Sequence, residues 1–275
     1  MNGIAENNSS LPKAAGSFFN NGGSKAQSDS ESKLKKGVVD MTQGSTMKHI
    51  AGFALPMFLG YLFQQFYSMV DTIIVGKFVG VYALAGVGST GAISFMIIGF
   101  CTGICAGFAI PVAQAFGARN TEALRKYFAN SIWLSLFFAI FLTITVCMLT
   151  GTILDLMNTQ SDIWQYAYDY IFIVFAGIPA TLLYNLASSI IRSLGDSKTP
   201  VYFLILSSLL NVFLDLYTII VLGMGVKGAA YATVFSQLVS GVLCVIYMYR
   251  RFEIIHLSRS DLVPDMKHIK RLSLI

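Results

Sequence analysis

The fold is decided by residues 49–75, HIAGFALPMFLGYLFQQFYSMVDTIIV. From Ile50 to Val70 this stretch has no charged residue, which is enough for one bilayer crossing of about 20 residues. It then reaches Asp71, and a carboxylate inside a membrane span costs roughly 3 kcal/mol on insertion scales. A second aspartate, Asp215, lies in another apolar stretch, one helical turn after Asn211. Ionisable residues in such positions usually serve a function, so both aspartates are candidate site residues.

The composition is typical of a membrane protein. Of the 275 residues, 55% are hydrophobic and only 12% are charged, whereas soluble domains carry about 25% charged residues. The net charge is +5, but no basic patch is interleaved with aromatic residues, so no nucleic-acid partner is expected. All four cysteines lie in apolar runs, which argues against a disulfide framework.

Three segments are expected along the chain. Residues 1–45 are rich in Ser, Asn, Gly and Lys, a composition that predicts a disordered polar tail. Residues 46–250 hold the apolar runs and are predicted to form an all-α membrane lobe, a bundle of six transmembrane helices. Residues 251–275 are again polar and basic.

Charge-free runs place the six predicted spans at about 50–75, within 78–118, and at about 127–151, 166–192, 200–222 and 228–249. The second run is interpreted as one long helix, because it is too short for two spans and a turn. Pro56 is expected to kink the first span and Pro179 to break the fourth. Within the second run, Gly99, Gly103 and Gly107 recur every four residues, which favours close helix packing over a pore-lining face.

The lysines and arginines orient the spans. One set of loops, together with both terminal segments, holds nearly all lysines and arginines, including Arg119, Arg125, Lys126, Arg192 and Lys198. The loops on the opposite side of the membrane hold only Lys77 and Lys227. The positive-inside rule therefore predicts a multi-pass protein of the cell membrane with a cytoplasmic N-terminus.

Oxygen ligands from three helices are predicted to lie at one depth. Counted along their helices, Asp71, Asp215 and Thr233 lie roughly 9–10 Å from the outer boundary. Asn211 is one turn deeper than Asp215 on the same face. Such oxygens suit sodium, and two carboxylates can also share a proton. We therefore predict a cation site of Asp71, Asn211, Asp215 and Thr233; in the alternative, each aspartate only bonds a neighbouring helix.

Polar stripes on apolar spans face a cavity or another helix. Such stripes contain Asp71 on the first span and Asp215 on the fifth. They predict a substrate cavity lined by Gln64, Tyr67, Ser68, Asn185 and Ser208. For Asn185, which lies deeper as a lone amide, a hydrogen bond between helices is the alternative.

Several motifs, taken together, resemble the multidrug and toxic compound extrusion (MATE) family over about residues 42–250. They are the run from ALP at 54–56 to QQ at 64–65, VDTIIVG at 70–76, ALAGVG at 83–88, RSLGDSKTP at 192–200, NVFLD at 211–215 and GAAYAT at 228–233. The residues MTQG at 41–44 also resemble a family start, which makes Met41 a candidate initiator.

The resemblance implies a secondary active transporter rather than an enzyme. It implies export of drugs and other amphipathic organic compounds, driven by inward flow of Na⁺ or H⁺, with no other cofactor. Members of the family match Asp71, Asn211, Asp215 and Thr233 at a cation site of the N-terminal lobe. The family has twelve spans in two lobes that rock about a central cavity. This chain therefore resembles one lobe followed by a cytoplasmic linker, residues 251–275, toward a second six-helix lobe that transport requires.

Other functions remain open at this point. A lipid-linked oligosaccharide flippase of the same superfold needs several cationic residues in its cavity, and the absence of Lys or Arg within the predicted spans favours efflux. An intramembrane aspartyl protease is disfavoured, because Asp169 after Tyr168 has no Gly-x-Gly-Asp partner. A helical membrane fragment that does not transport is the remaining alternative.

Overall fold

A computed structural model describes residues 46–257 and 265–273; the predicted tail, residues 1–45, lies outside the described residues. Within these ranges the helices are α1 Thr46–Phe78, α2 Val81–Ser89, α3 Gly91–Gly117, α4 Thr121–Leu156, α5 Ser161–Ala176, α6 Ile178–Ser193, α7 Thr199–Leu216, α8 Val226–Arg251 and α9 Met266–Ser273. A π-helical turn, Tyr217–Val221, extends α7, and a 3-10 turn, Glu253–Ile255, follows α8. No strand occurs in the described ranges, so the all-α prediction is confirmed.

The bundle is built from helices of membrane-spanning length. Among the described residues, α3, α4, α8 and α7 with its π-helical turn are long and apolar enough to cross a membrane. Helices α5 and α6 together form a further span that is bent by 47°. Helix α1 has 33 residues, or roughly 50 Å at 1.5 Å per residue. Among the described residues it is not one of the helices apolar enough to cross a membrane, and it carries polar residues such as Gln64, Gln65 and Asp71.

The charge-free run after α1 is not one helix, so that prediction is wrong. Gly80, with φ of 121°, separates α1 from the short helix α2. Thr90 then separates α2 from α3, and its hydroxyl donates to the carbonyl oxygen of Val87 at 2.7 Å. Helix α2 packs closely on α5, since a Cβ at Gly86 would lie only 2.7 Å from Cβ of Tyr166. The run is too short for two membrane spans, but it accommodates one span, α3, and the nine-residue helix α2.

The fourth predicted span is broken at Gly177 rather than at Pro179. The amide of Gly177 donates to Ile173 O at 3.0 Å and ends α5, and its carbonyl oxygen accepts from Ala180 N at 3.0 Å as α6 begins. Pro179 lies in the first turn of α6, where its missing N–H removes no helical hydrogen bond. Proline thus starts the second helix, and the preceding glycine forms the bend.

The glycine face of α3 is open. No atom of the described residues, apart from α3 itself, lies within 4 Å of a Cβ built at Gly99, Gly103 or Gly107. The prediction of close helix packing at these glycines is therefore wrong within this lobe.

The turn between α6 and α7 is held by the carboxylate of Asp196. It accepts hydrogen bonds from the amides of Lys198 at 3.1 Å and Thr199 at 3.0 Å. It also accepts from the Thr199 hydroxyl at 2.6 Å and the Tyr247 hydroxyl at 2.8 Å. The carboxylate therefore caps the start of α7 and ties the turn to α8.

We expect Asp196→Ala to lower the free energy of unfolding by about 2 kcal/mol, because hydrogen bonds to a charged group are lost. Thermal denaturation in detergent, followed by loss of the monodisperse species, measures the effect. Asp162→Ala, at an exposed position in the first turn of α5, is the control and should change stability by less than about 0.5 kcal/mol. Equal behaviour of the two variants would contradict the capping role.

The described part of the predicted linker packs against the start of α4. The amide of Asp265 donates to Oδ1 of Asn130 at 3.0 Å, and Nε of Arg125 donates to Ile254 O at 3.0 Å. Leu272 of α9 is buried. The segment after α8 is thus fixed to the lobe at the same end as the α6–α7 turn; its role as a linker stays a prediction.

Candidate cation and substrate site

Helices α1, α7 and α8 bring the four predicted cation ligands into one region. Asn211 and Asp215 lie one turn apart on the buried face of α7, and their exposed fractions are 1% and 0%. Asp71 of α1 is 5% exposed. Helix α7 packs between α1 and α8, so side chains from three helices reach the same place.

The four side chains interact in pairs. Asn211 Nδ2 donates to Thr233 Oγ1 at 3.2 Å. The carboxyl groups of Asp71 and Asp215 lie close enough for their charges to interact.

Several oxygens of this group have no hydrogen-bond partner. They are Oδ1 of Asp71, Oδ1 of Asn211 and both carboxyl oxygens of Asp215, as far as the described residues show. Buried oxygens without partners are rare, because each loses its hydration without compensation. Carboxylate, amide and hydroxyl oxygens are also the ligands that hard cations prefer. The arrangement can bind a small cation, or a proton between the carboxyl groups.

An apolar cluster closes one side of the cation site. Its members include Val75, Ile219 and Ala229, all buried, each one helical turn from a predicted ligand on the same helix. On all three helices this turn lies toward the end of the bundle that holds Lys77 and Lys227. The cluster excludes water from that side, so the neighbouring polar groups must stabilise any charge in the site.

On its other side the cation site meets a polar cavity, because Asn211 and Thr233 lie in the cavity wall. Of the predicted substrate residues, the cavity is lined by Gln64, Tyr67, Asn185 and Ser208. Ser68 is exposed and does not line the cavity, whose wall on α1 ends one residue earlier. The Asn185 amide both lines the cavity and links helices, accepting from the Thr102 hydroxyl at 3.4 Å.

Sequence reasoning missed two polar residues of the site. Tyr170 of α5 places its side chain beside the Asp71 carboxyl group. Gln237 of α8 faces the phenol of Tyr67 and accepts from the Thr181 hydroxyl at 2.6 Å. Gln237 follows Thr233, the predicted ligand on α8, by one helical turn. The spacing of these two polar residues could have indicated that Gln237 belongs to the site. Tyr170 gave no comparable signal.

Two charged residues have surroundings that differ from the sequence interpretation. Asp169, considered for the protease alternative, pairs with Lys227 at 3.3 Å rather than with another aspartate. Arg192, assigned to a loop, belongs to the last turn of α6 and lines the cavity. Arg192 therefore contradicts the expectation that the spans contribute no Lys or Arg to the cavity.

The sequence matches the MatE family model over residues 56–217, more than half of the chain. The chain belongs to the MatE family. The resemblance inferred from the motifs is thus confirmed, and the family consists of transporters rather than enzymes.

Related MatE proteins carry different functional names. The probable multidrug resistance protein YoeA of Bacillus subtilis is 32% identical over 75% of this chain and 46% of its own length. The probable multidrug resistance protein NorM of Thermotoga maritima is 30% identical over 79% of this chain and 47% of its own length. An FAD transporter of Shewanella oneidensis is 24% identical over 72% of this chain and 45% of its own length.

Solved MatE-type structures share the fold. An outward-facing multidrug resistance MATE transporter superposes with a TM-score of 0.77 at 28% identity, over 83% of this chain and 51% of that one. A MOP superfamily transporter from Pyrococcus furiosus, described as having a binding pocket of reversed polarity, gives 0.76 at 29% identity, over 84% of this chain and 52% of that one. This chain spans about half the length of these relatives, so it corresponds to one lobe of a two-lobe architecture.

Proposed function

We propose that this MatE chain is the N-terminal lobe of an antiporter that exports drugs or other amphipathic organic compounds in exchange for Na⁺ or H⁺. The observation that carries the proposal is the pair of buried carboxyl groups, Asp71 and Asp215, which lie close enough for their charges to interact and adjoin a polar cavity. An ion-coupled exporter needs an ion site and a substrate site that influence each other.

The coupling follows from electrostatics. Without a cation, Asp71 and Asp215 repel each other in surroundings of low dielectric constant. A bound Na⁺ or shared proton removes this repulsion, and Asn211 and Thr233 supply neutral oxygens for Na⁺. Because these two residues also lie in the cavity wall, occupation of the ion site can change the shape of the cavity. Ion binding and substrate release are thereby linked.

The membrane placement is part of the proposal. Of the described residues, Arg119, Arg125, Lys198, Arg250 and Arg251 lie toward the end that holds the α6–α7 turn. The positive-inside rule makes this end cytoplasmic and places the cation site in the outer half of the cell membrane. The N-terminus is then cytoplasmic, and transport requires a second six-helix lobe. The two lobes enclose the cavity and alternate its access.

Two relatives named as multidrug resistance proteins support export of organic compounds, while the FAD transporter shows that cargo differs among relatives. The flippase alternative is less well supported, because a cavity for a multiply charged lipid pyrophosphate requires several cations. In the described cavity lining only Arg192 is a cation.

The test is transport by proteoliposomes that contain this lobe together with its second lobe. We expect an organic cationic dye to be exported only while an inward Na⁺ or H⁺ gradient is imposed. Dissipating one gradient at a time, with a sodium or a proton ionophore, identifies the coupling ion. The chain alone should give no ion-driven export. Export that is unaffected when both gradients are absent would contradict coupled antiport.

A further inference from the structure

Arg192 turns its side chain into the bundle instead of toward solvent. Its Nη1 donates to Ser188 Oγ at 2.7 Å, and its Nη2 donates to Ser189 Oγ at 2.9 Å. Both serines precede it on α6 and are buried. The guanidinium is thus held along its own helix, where it forms part of the cavity wall.

The positive charge of Arg192 has no acidic partner among the described residues, within the 4 Å limit of an ion pair. Asp196 is near in sequence, but its carboxylate is taken up by the α7 amides and by Tyr247. The serine hydroxyls that hold the guanidinium are neutral. A guanidinium has five N–H donors, so donors remain for a further acceptor.

The surroundings suit an anionic group. Tyr184 also lines the cavity wall, and its neutral phenol lies near the Arg192 guanidinium. Arginine pairs with carboxylate and phosphate oxygens through two parallel hydrogen bonds. In a partly enclosed cavity such a pair is stronger than at an exposed surface.

The cavity therefore has two different ends. Asp215 lies 16 residues after the first residue of α7, roughly 24 Å along the helix at 1.5 Å per residue. The carboxyl pair of Asp71 and Asp215 lies near the last turn of α7, whereas Arg192 lies near the α6–α7 turn, where α7 begins. The neutral polar side chains of Gln64, Asn185 and Ser208 line the wall between them.

We propose that Arg192, with Tyr184 beside it, forms an anion-binding subsite for a carboxylate or phosphate group of the exported compound. The inference rests on the proposed transport function and narrows its substrate class. The favoured substrates are amphipathic compounds that carry one anionic group, including zwitterions. The anionic group binds at the end of the cavity away from the cation site.

The test compares two xanthene dyes with the same ring system, one with a free carboxylate and one with that carboxylate as its ethyl ester. Binding to the purified 275-residue chain in detergent is measured by fluorescence anisotropy, without an ion gradient. We expect Arg192→Gln to weaken binding of the carboxylate dye about tenfold and to change binding of the ester less than about twofold. Arg192→Lys should retain part of the affinity for the carboxylate dye.

Lys198→Gln is the matched control, because Lys198 is exposed and lies outside the cavity wall; it should leave both dyes unaffected. Equal weakening of both dyes by Arg192→Gln, or no weakening of either, would overturn the subsite. A second arm measures retention of phosphatidylglycerol by the chain. Loss of that lipid in Arg192→Gln, with unchanged dye binding, would assign the arginine to a lipid headgroup and overturn the substrate assignment. The dye-binding experiment uses no ion gradient. Its outcome therefore does not depend on whether ion-driven export is observed.

Discussion

Asp215→Asn is expected to reduce ion-driven export at least about tenfold, to the level of passive leak. The substitution keeps the size of the side chain but removes the charge that a bound cation neutralises. Both Asp215 oxygens are buried and have no hydrogen-bond partner among the described residues, and the variant leaves Asp71 as the only carboxylate of the proposed site. The measurement is the initial rate of dye export by two-lobe proteoliposomes under an imposed gradient.

Asp71→Asn should give the same loss, and the double variant should be no worse than either single one, since the two carboxyl groups act as one site. Asp162→Asn changes an exposed aspartate in the first turn of α5 and should export normally. Dye binding without a gradient shows whether each variant is folded. Folded Asp215→Asn protein that exports at the wild-type rate would disprove the role of this site in coupling.

The grouping of the four candidate ligands could be predicted because a membrane span restricts where a residue can lie. Once the ends of each span are set by charged residues, a count of 1.5 Å per residue gives the depth of each polar group. This count placed Asp71, Asp215 and Thr233 at one level, and the structure brings them to one region. Helical periodicity added Asn211, because it shares a face with Asp215. Their role as ion ligands stays a prediction.

Features that depend on contacts between helices could not be predicted in this way. The position of Arg192 suggested a loop, but its side chain folds back onto buried serines of α6. Only the packing of α5 reveals that Tyr170 lies beside Asp71. The glycine spacing of α3 looked like a packing face, but no other helix of the described lobe covers it. Tyr170 and Asp71 are distant in sequence, so the local pattern of either helix could not indicate that they lie together.

The bend between α5 and α6 allows the most direct test of the packing. A Cβ added at Gly177 would clash with Cγ2 of Val234 on α8 and would lie 2.8 Å from Cγ1 of the same residue. With φ of −82°, this position is accessible to alanine, so backbone strain is not the obstacle. We expect Gly177→Ala to lower the free energy of unfolding by about 3 kcal/mol, because the added methyl group overpacks the contact with α8. The temperature of half-maximal loss of monodisperse protein in detergent measures the change.

The control for this prediction is Gly103→Ala, because Gly103 is also helical but nothing among the described residues lies within 4 Å of its added Cβ. It should leave stability unchanged or raise it slightly, since alanine favours a helix over glycine by about 1 kcal/mol. The double variant Gly177→Ala/Val234→Ala removes the two clashing methyl groups and leaves the 3.1 Å contact with Cβ of residue 234. It should therefore recover most of the stability lost on Gly177→Ala. If the double variant were as unstable as the sum of the single variants, the loss would not arise from this contact. The bend would then have to be fixed by other residues of α5 and α6.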